Sequence, residues 1–140
     1  MKRSTKNMTL VVAALTIAAG TVSAQTMKAE IPFAFRVGTK LMQPGEYLVR
    51  PLAMSSGTPM FTLANFDARK TIIAVPSTRV TPSKEWTNAG LAKLSFVCVE
   101  DSCSLTRLWS GDGPAYTFRA PRGKDGEHIA EIILTPTRAD

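Results

Sequence analysis

Met27-Lys-Ala-Glu-Ile-Pro-Phe-Ala-Phe35 is the stretch that decides the fold class of this chain. Met27, Ala29, Ile31, Phe33 and Phe35 occupy every second position, with Lys28, Glu30, Pro32 and Ala34 between them. Successive side chains of an extended strand point to opposite faces, so this alternation predicts a half-buried β-strand with one apolar face. Pro32 has no backbone N–H to donate, which places it on an edge strand or at a break in pairing. Downstream, Pro44-Gly45 marks a turn, because proline presets its own backbone angle and glycine accepts a positive one. The turn returns Tyr47 and Val49 to the first strand and makes a fold-defining hairpin. If Phe33 is buried in that arrangement, Phe33→Ala costs about 3–5 kcal/mol.

The same pattern continues to the C-terminus. Short strands are expected over Lys40–Met42 and Glu46–Pro51, followed by a Ser/Gly/Pro loop over Met54–Pro59. Met60–Asn65 and Lys70–Val75 predict a hairpin with Asn65–Arg69 at its tip; Pro76 ends the pair and Ser77–Val80 resumes it. Thr81–Asn88 is the longest polar stretch and is expected as an exposed loop. Leu91–Val99 and Cys103–Trp109 predict a second hairpin. Ser110–Pro114 is a glycine-rich turn, Ala115–Arg119 a short strand, Asp125-Gly126 a strong turn dipeptide, and His128–Leu134 the last strand. Helical periodicity is nearly absent. Many short strands between turn signals predict an all-β fold: a single-domain antiparallel β-sandwich or a partly open small barrel.

The N-terminus carries a different signal. Lys2, Arg3 and Lys6 precede an apolar run from Met8 to Ala19, and Val22-Ser23-Ala24 closes it with small residues. That is the layout of a secretory signal peptide over residues 1–24, with one β-rich domain over 25–140. The run falls short of the roughly 20 residues a membrane-spanning helix needs, so no transmembrane segment is expected after its removal. The whole chain has a formal charge of +6, and removing the three basic residues of the leader leaves +3. Such a small excess supports solubility and weak attraction to anionic surfaces, and does not support nucleic-acid binding.

Cys98 and Cys103 are the two cysteines, and an even count in an exported chain points to a disulfide. Val99-Glu-Asp-Ser102 between them suits a tight hairpin loop. If Cys98 faces Cys103, then Phe96 faces Leu105 and Leu94 faces Arg107, so the sulfurs lie over an apolar face and only Arg107 fits poorly. Directly opposed strand residues sit about 4.5–5.5 Å apart, within reach of a disulfide. Closing so short a loop contributes about 2 kcal/mol. Redox catalysis favours two intervening residues, and a structural zinc site needs more ligands than two cysteines and His128 supply. His128 is expected as a strand-end surface residue. No Gly-x-Ser-x-Gly elbow, calcium loop, phosphate loop or dinucleotide fingerprint occurs, so no cofactor, metal or catalytic residue is assigned.

Two features remain for partner binding. Tyr116, Arg119 and Arg122, with Phe118 and Lys124, make a modest basic–aromatic cluster of the kind that binds acidic polymers, although a solvated loop beside an ordinary strand is the preferred reading. Trp86 stands in the long polar stretch, where an aromatic either anchors a partner or folds back as a cap over the core; the cap is the preferred reading.

Ile31-Pro-Phe-Ala-Phe-Arg-Val-Gly38, followed by Leu41-Met-Gln-Pro-Gly-Glu-Tyr-Leu-Val49, resembles the start of a group of small exported bacterial proteins, numerous in Acidobacteria. Met42-Gln43 replaces the group's usual pair before Pro44-Gly45. Ala92–Phe96 and Leu105–Trp109 are loosely similar to the group's second half, and the cysteines are not among its hallmarks. The resemblance implies export and an all-β fold, and it transfers no catalytic residue. The expectation is a periplasmic or secreted, non-enzymatic interaction module that binds an envelope protein or surface polymer through loops or edge strands. The alternatives are a small lipophilic-ligand-binding β protein with an apolar cavity, and a hydrolase with carboxylates from separate strands.

Overall fold

At Pro32 the chain leaves one sheet and enters another, and that step organises the architecture. A computed structural model describes residues 26–52, 59–120 and 126–137. In chain order the elements are β1 (Met27–Ile31), β2 (Phe35–Val37), β3 (Lys40–Met42), β4 (Gly45–Leu52), β5 (Met60–Asn65), β6 (Lys70–Ala74), β7 (Thr78–Val80), α1 (Lys84–Ala89), β8 (Lys93–Val99), β9 (Ser102–Trp109), β10 (Ala115–Thr117), β11 (Glu127–Ile133) and β12 (Thr135–Pro136). The first sheet runs β12-β1-β4-β5-β6, antiparallel throughout. The second runs β11-β8-β9-β10-β7. One edge of β9 is shared: β2 pairs in parallel with its start at Cys103 and Ser104, and β10 pairs with its end at Arg107 and Leu108. β3 then hairpins onto β2. The fold is therefore mostly β, in two sheets that do not close on each other.

The alternation of the opening segment holds. Met27, Ala29 and Ile31 are buried while Lys28 and Glu30 are exposed. Tyr47 opposes Ala29 and Val49 opposes Met27, the return expected from Pro44-Gly45. Of the two placements expected for Pro32, the break holds and the edge strand does not: β1 lies inside its sheet and ends at Ile31. β12 opposes only Met27 and Lys28, however, so pairing on that side has stopped before Pro32. The proline thus costs no ladder bond where it stands.

Beyond Pro32, Phe35 is fully buried and its ring meets Tyr47 at 5.2 Å and Phe96 at 5.3 Å, each in an edge-to-face arrangement. It ties the inner faces of the two sheets together. Phe33 is only half-buried and leans edge-on against Phe96 at 5.1 Å. The continuous core draws on both sheets, from Met27 to Leu134.

Gly45 has φ 150°, and a Cβ there would come within 3.0 Å of the Asn65 amide nitrogen. Buried Asn65 is held in turn: its Oδ1 accepts from the Ala68 N–H at 3.1 Å, at the tip of the β5–β6 hairpin. The Tyr47 hydroxyl donates to the Gln43 carbonyl. Burial raises the Tyr47 hydroxyl above its ordinary value of 10.0, and its hydrogen bond with Asn65 pulls the other way.

Three further expectations are corrected. Ser77–Val80 does not resume the β5–β6 pair. After Pro76 the chain crosses to the second sheet, where the Ser77 N–H donates to the Thr117 carbonyl at 2.8 Å and β7 pairs with β10. Thr81–Asn88 is not a loop throughout: α1 begins within it at Lys84 and runs to Ala89. Ser83 caps this helix by accepting from the Trp86 N–H, and Gly90 closes it at φ 68°. Six residues are too few to show a period in sequence, and burial of Trp86 against the sheet makes the turn worthwhile. In the β8–β9 hairpin, Cys98 opposes Cys103 and Phe96 opposes Leu105 as expected. A bulge between Ser95 and Phe96 then shifts the register, so Leu94 meets Leu108 and Arg107 meets Ser95. The one poor fit of the simple register is relieved: the bulge turns Arg107 away from the apolar face. The expected Met54–Pro59 loop lies largely outside the described residues.

Candidate binding groove

The first sheet ends at β6. Among the described residues, β6 is hydrogen-bonded to β5 on one side and to no strand on the other. The β2–β3 hairpin of the second sheet stands across from it. Gly38 at φ 63° makes the tight reversal that places Lys40 back along Val37. Between the two lies a groove of about 570 Å³, within the range of small-ligand sites. Its floor is apolar: Val37, Met42 and Phe118 are buried, and Ile72 of β6 is half-buried beside them. Its rim carries Lys40, Lys70 and Arg119, all exposed, and among the described residues no acid lines it. Ile73 and Val75 continue the apolar surface along the outside of β6, at 53% and 59% exposure.

Three cations around an apolar floor give a surface that attracts a negatively charged partner and holds its apolar parts. Thr39 and Thr71 belong to the same lining. These groups can bind and orient; they do not form a nucleophile–base pair. A second recess, of about 520 Å³, lies at the tip of the β8–β9 hairpin, where Arg36 shares the lining with Glu100 and Asp101. Its mixed charge gives no single sign for a ligand to match.

The residues singled out from sequence do not converge. Trp86 is 5% exposed and stacks on Trp109, with ring centroids 6.3 Å apart. Its Nε1 donates to Glu131 at 3.0 Å, and Lys93 reaches the other oxygen of that carboxylate at 3.3 Å. Lys93 and Arg107 each lie 5.8 Å from the Trp86 ring. Trp86 is thus a cap over the outer face of the second sheet, and its ring is not presented as a surface anchor. Tyr116 turns inward against Phe61 at 5.3 Å. Among the described residues of the cluster, Phe118 and Arg119 line the groove. Arg122 and Lys124 lie outside the described residues. His128 is exposed on β11, opposite Cys98. The Cys98 and Cys103 sulfurs stand 2.08 Å apart, at disulfide distance. Among the described residues, no three of His, Cys, Asp and Glu gather as a metal site.

No protein family, curated protein or solved structure matches this chain. The reading of the groove therefore rests on its own chemistry. Lys40 and Lys70 escaped the sequence reading because each is a single lysine on an otherwise ordinary strand. Only the meeting of β6 with the β2–β3 hairpin makes them neighbours of Arg119.

Proposed function

We propose that this chain is an exported, non-enzymatic interaction module of the periplasm or extracellular space, and that the groove between β6 and the β2–β3 hairpin is its binding face. One observation carries the reading: among the described residues, three cationic side chains surround an apolar floor that no acid interrupts. The signal-peptide layout of residues 1–24, the cysteine pair at disulfide distance and the resemblance to small exported bacterial proteins support the location. Among the described residues, no helix is long and apolar enough to cross a membrane, which is compatible with it. The two sheets are best read as a β-sandwich rather than a partly open barrel, because the groove opens where β6 ends one sheet instead of joining the other.

The test is crosslinking in cells from a photo-reactive residue placed at Thr39, on the hairpin side of the groove, or at Arg50, exposed on the outer face of the first sheet. A reproducible neighbour from Thr39 and none from Arg50 is the expected result. The same neighbours in equal yield from both positions would remove the groove as the binding face. The exported protein should begin at Gln25; material still starting at Met1 would remove the export reading. The apolar floor favours one second reading, a small lipophilic ligand, for which dodecanoate should raise the melting temperature of the mature protein.

A further inference from the structure

We infer that the groove receives an extended acidic peptide segment, which adds to β6 as a further strand of the first sheet. The inference rests on the reading of this groove as the binding face and names the partner's chemistry.

β6 offers the backbone for it. Its five residues, Lys70–Ala74, pair with β5 along one edge, and the opposite edge has no hydrogen-bonded neighbour among the described residues. An open edge is a template for another extended chain, which lies about 4.8 Å away and gains main-chain hydrogen bonds whatever its sequence. A strand added here would lie over the groove.

The side chains then select the sequence. Ile72 opposes Leu63, and Ala74 opposes Phe61, so these residues and Lys70 belong to the inward face of β6. A guest side chain on that face would descend toward Val37, Met42 and Phe118, where an apolar residue fits. Outward, it would lie beside exposed Ile73, where a β-branched residue packs best across strands. Toward the ends of the guest, Lys40, Lys70 and Arg119 present positive charge, and among the described residues no acid in the lining balances it. The matching sequence is a short β-prone apolar centre flanked by carboxylates.

The experiment uses the mature protein from Gln25, labelled with nitrogen-15, and the peptide Ac-Glu-Glu-Val-Ile-Val-Glu-Glu-NH2. Its amide shifts should move along Lys70–Val75 and Val37–Met42. Reversing both lysines, Lys40→Glu with Lys70→Glu, should weaken binding roughly tenfold. The peptide with lysines in place of its glutamates should then bind the double variant better than the native protein. That exchange also shows that the variant has kept its fold. N-methylation of alternate peptide residues decides the main-chain claim: one alternate set should abolish binding, and the other should leave it nearly unchanged. Equal binding of both sets, or shifts confined to another surface, would overturn strand addition. If dodecanoate or a sulfated polysaccharide moves the groove residues and the peptide does not, strand addition falls and the groove remains the binding face. If none of these probes moves them, both readings fall.

Discussion

Replacing Phe35 by alanine should be the most damaging single truncation near the N-terminus, and it should exceed the same change at Phe33. Phe35 is 0% exposed and touches aromatic rings from both sheets. Removing a fully buried phenylalanine side chain forfeits about 2–3 kcal/mol of transfer free energy. The cavity left between Tyr47 and Phe96 adds to this, because strands fixed by ladders on both sides relax little, and the total reaches about 3–5 kcal/mol. Phe33 keeps part of its ring in water and has one aromatic contact, so Phe33→Ala should cost about 1–2 kcal/mol. Urea denaturation followed by tryptophan fluorescence separates the two. With a slope of about 2 kcal/mol per molar urea, Phe35→Ala should lower the midpoint by about 2 M and Phe33→Ala by less than about 1 M. A loss at Phe33 equal to or above that at Phe35 would refute the assignment of Phe35 as the pin between the sheets.

Four other outcomes follow from the same geometry. Reducing the Cys98–Cys103 pair should lower stability by about 2 kcal/mol, and mass spectrometry should find no alkylated cysteine before reduction and two after it. Gly45→Ala should cost about 1–3 kcal/mol, since its φ is unfavourable for a side chain and the new Cβ would press on Asn65; urea midpoints matching the native protein would count against that packing. Because burial raises Tyr47 above 10.0, the unfolded chain releases that proton first as pH climbs, so stability should fall above about pH 10 and be unaffected by this group below it; Tyr47→Phe should flatten the slope in denaturation curves taken between pH 9 and 11. In a Trp109→Phe variant the remaining Trp86 should emit at short wavelength and resist iodide quenching, and free quenching would show that it does not cap the sheet.

Local pattern carried much of the architecture. The alternation of Met27, Ala29 and Ile31, the turn at Pro44-Gly45 and the β5–β6 hairpin are all contained in short windows. So is the opposition of Cys98 with Cys103, because one hairpin register puts both sulfurs over an apolar face. The failures share a cause. The bulge beside Ser95, the crossing of β7 and the formation of α1 each depend on what a distant segment covers or leaves open. Trp86 needs Trp109 and Glu131 beneath it before six polar residues gain anything by coiling. The basic–aromatic cluster near Tyr116 looked like one surface in sequence, yet Tyr116 and Arg119 part company because one faces Phe61 and the other the groove.

Hydrophobic alternation and turn chemistry, read from the residues alone, determined that this chain builds mostly antiparallel strands with an apolar inner face, since side-chain direction along a strand is set by the backbone itself. Only the tertiary structure decided that β6 ends its sheet beside the β2–β3 hairpin and that Lys40, Lys70 and Arg119 share one rim. The physical reason is that strand order is chosen by the packing of whole faces, and no local run of residues contains the partner against which its own edge will lie.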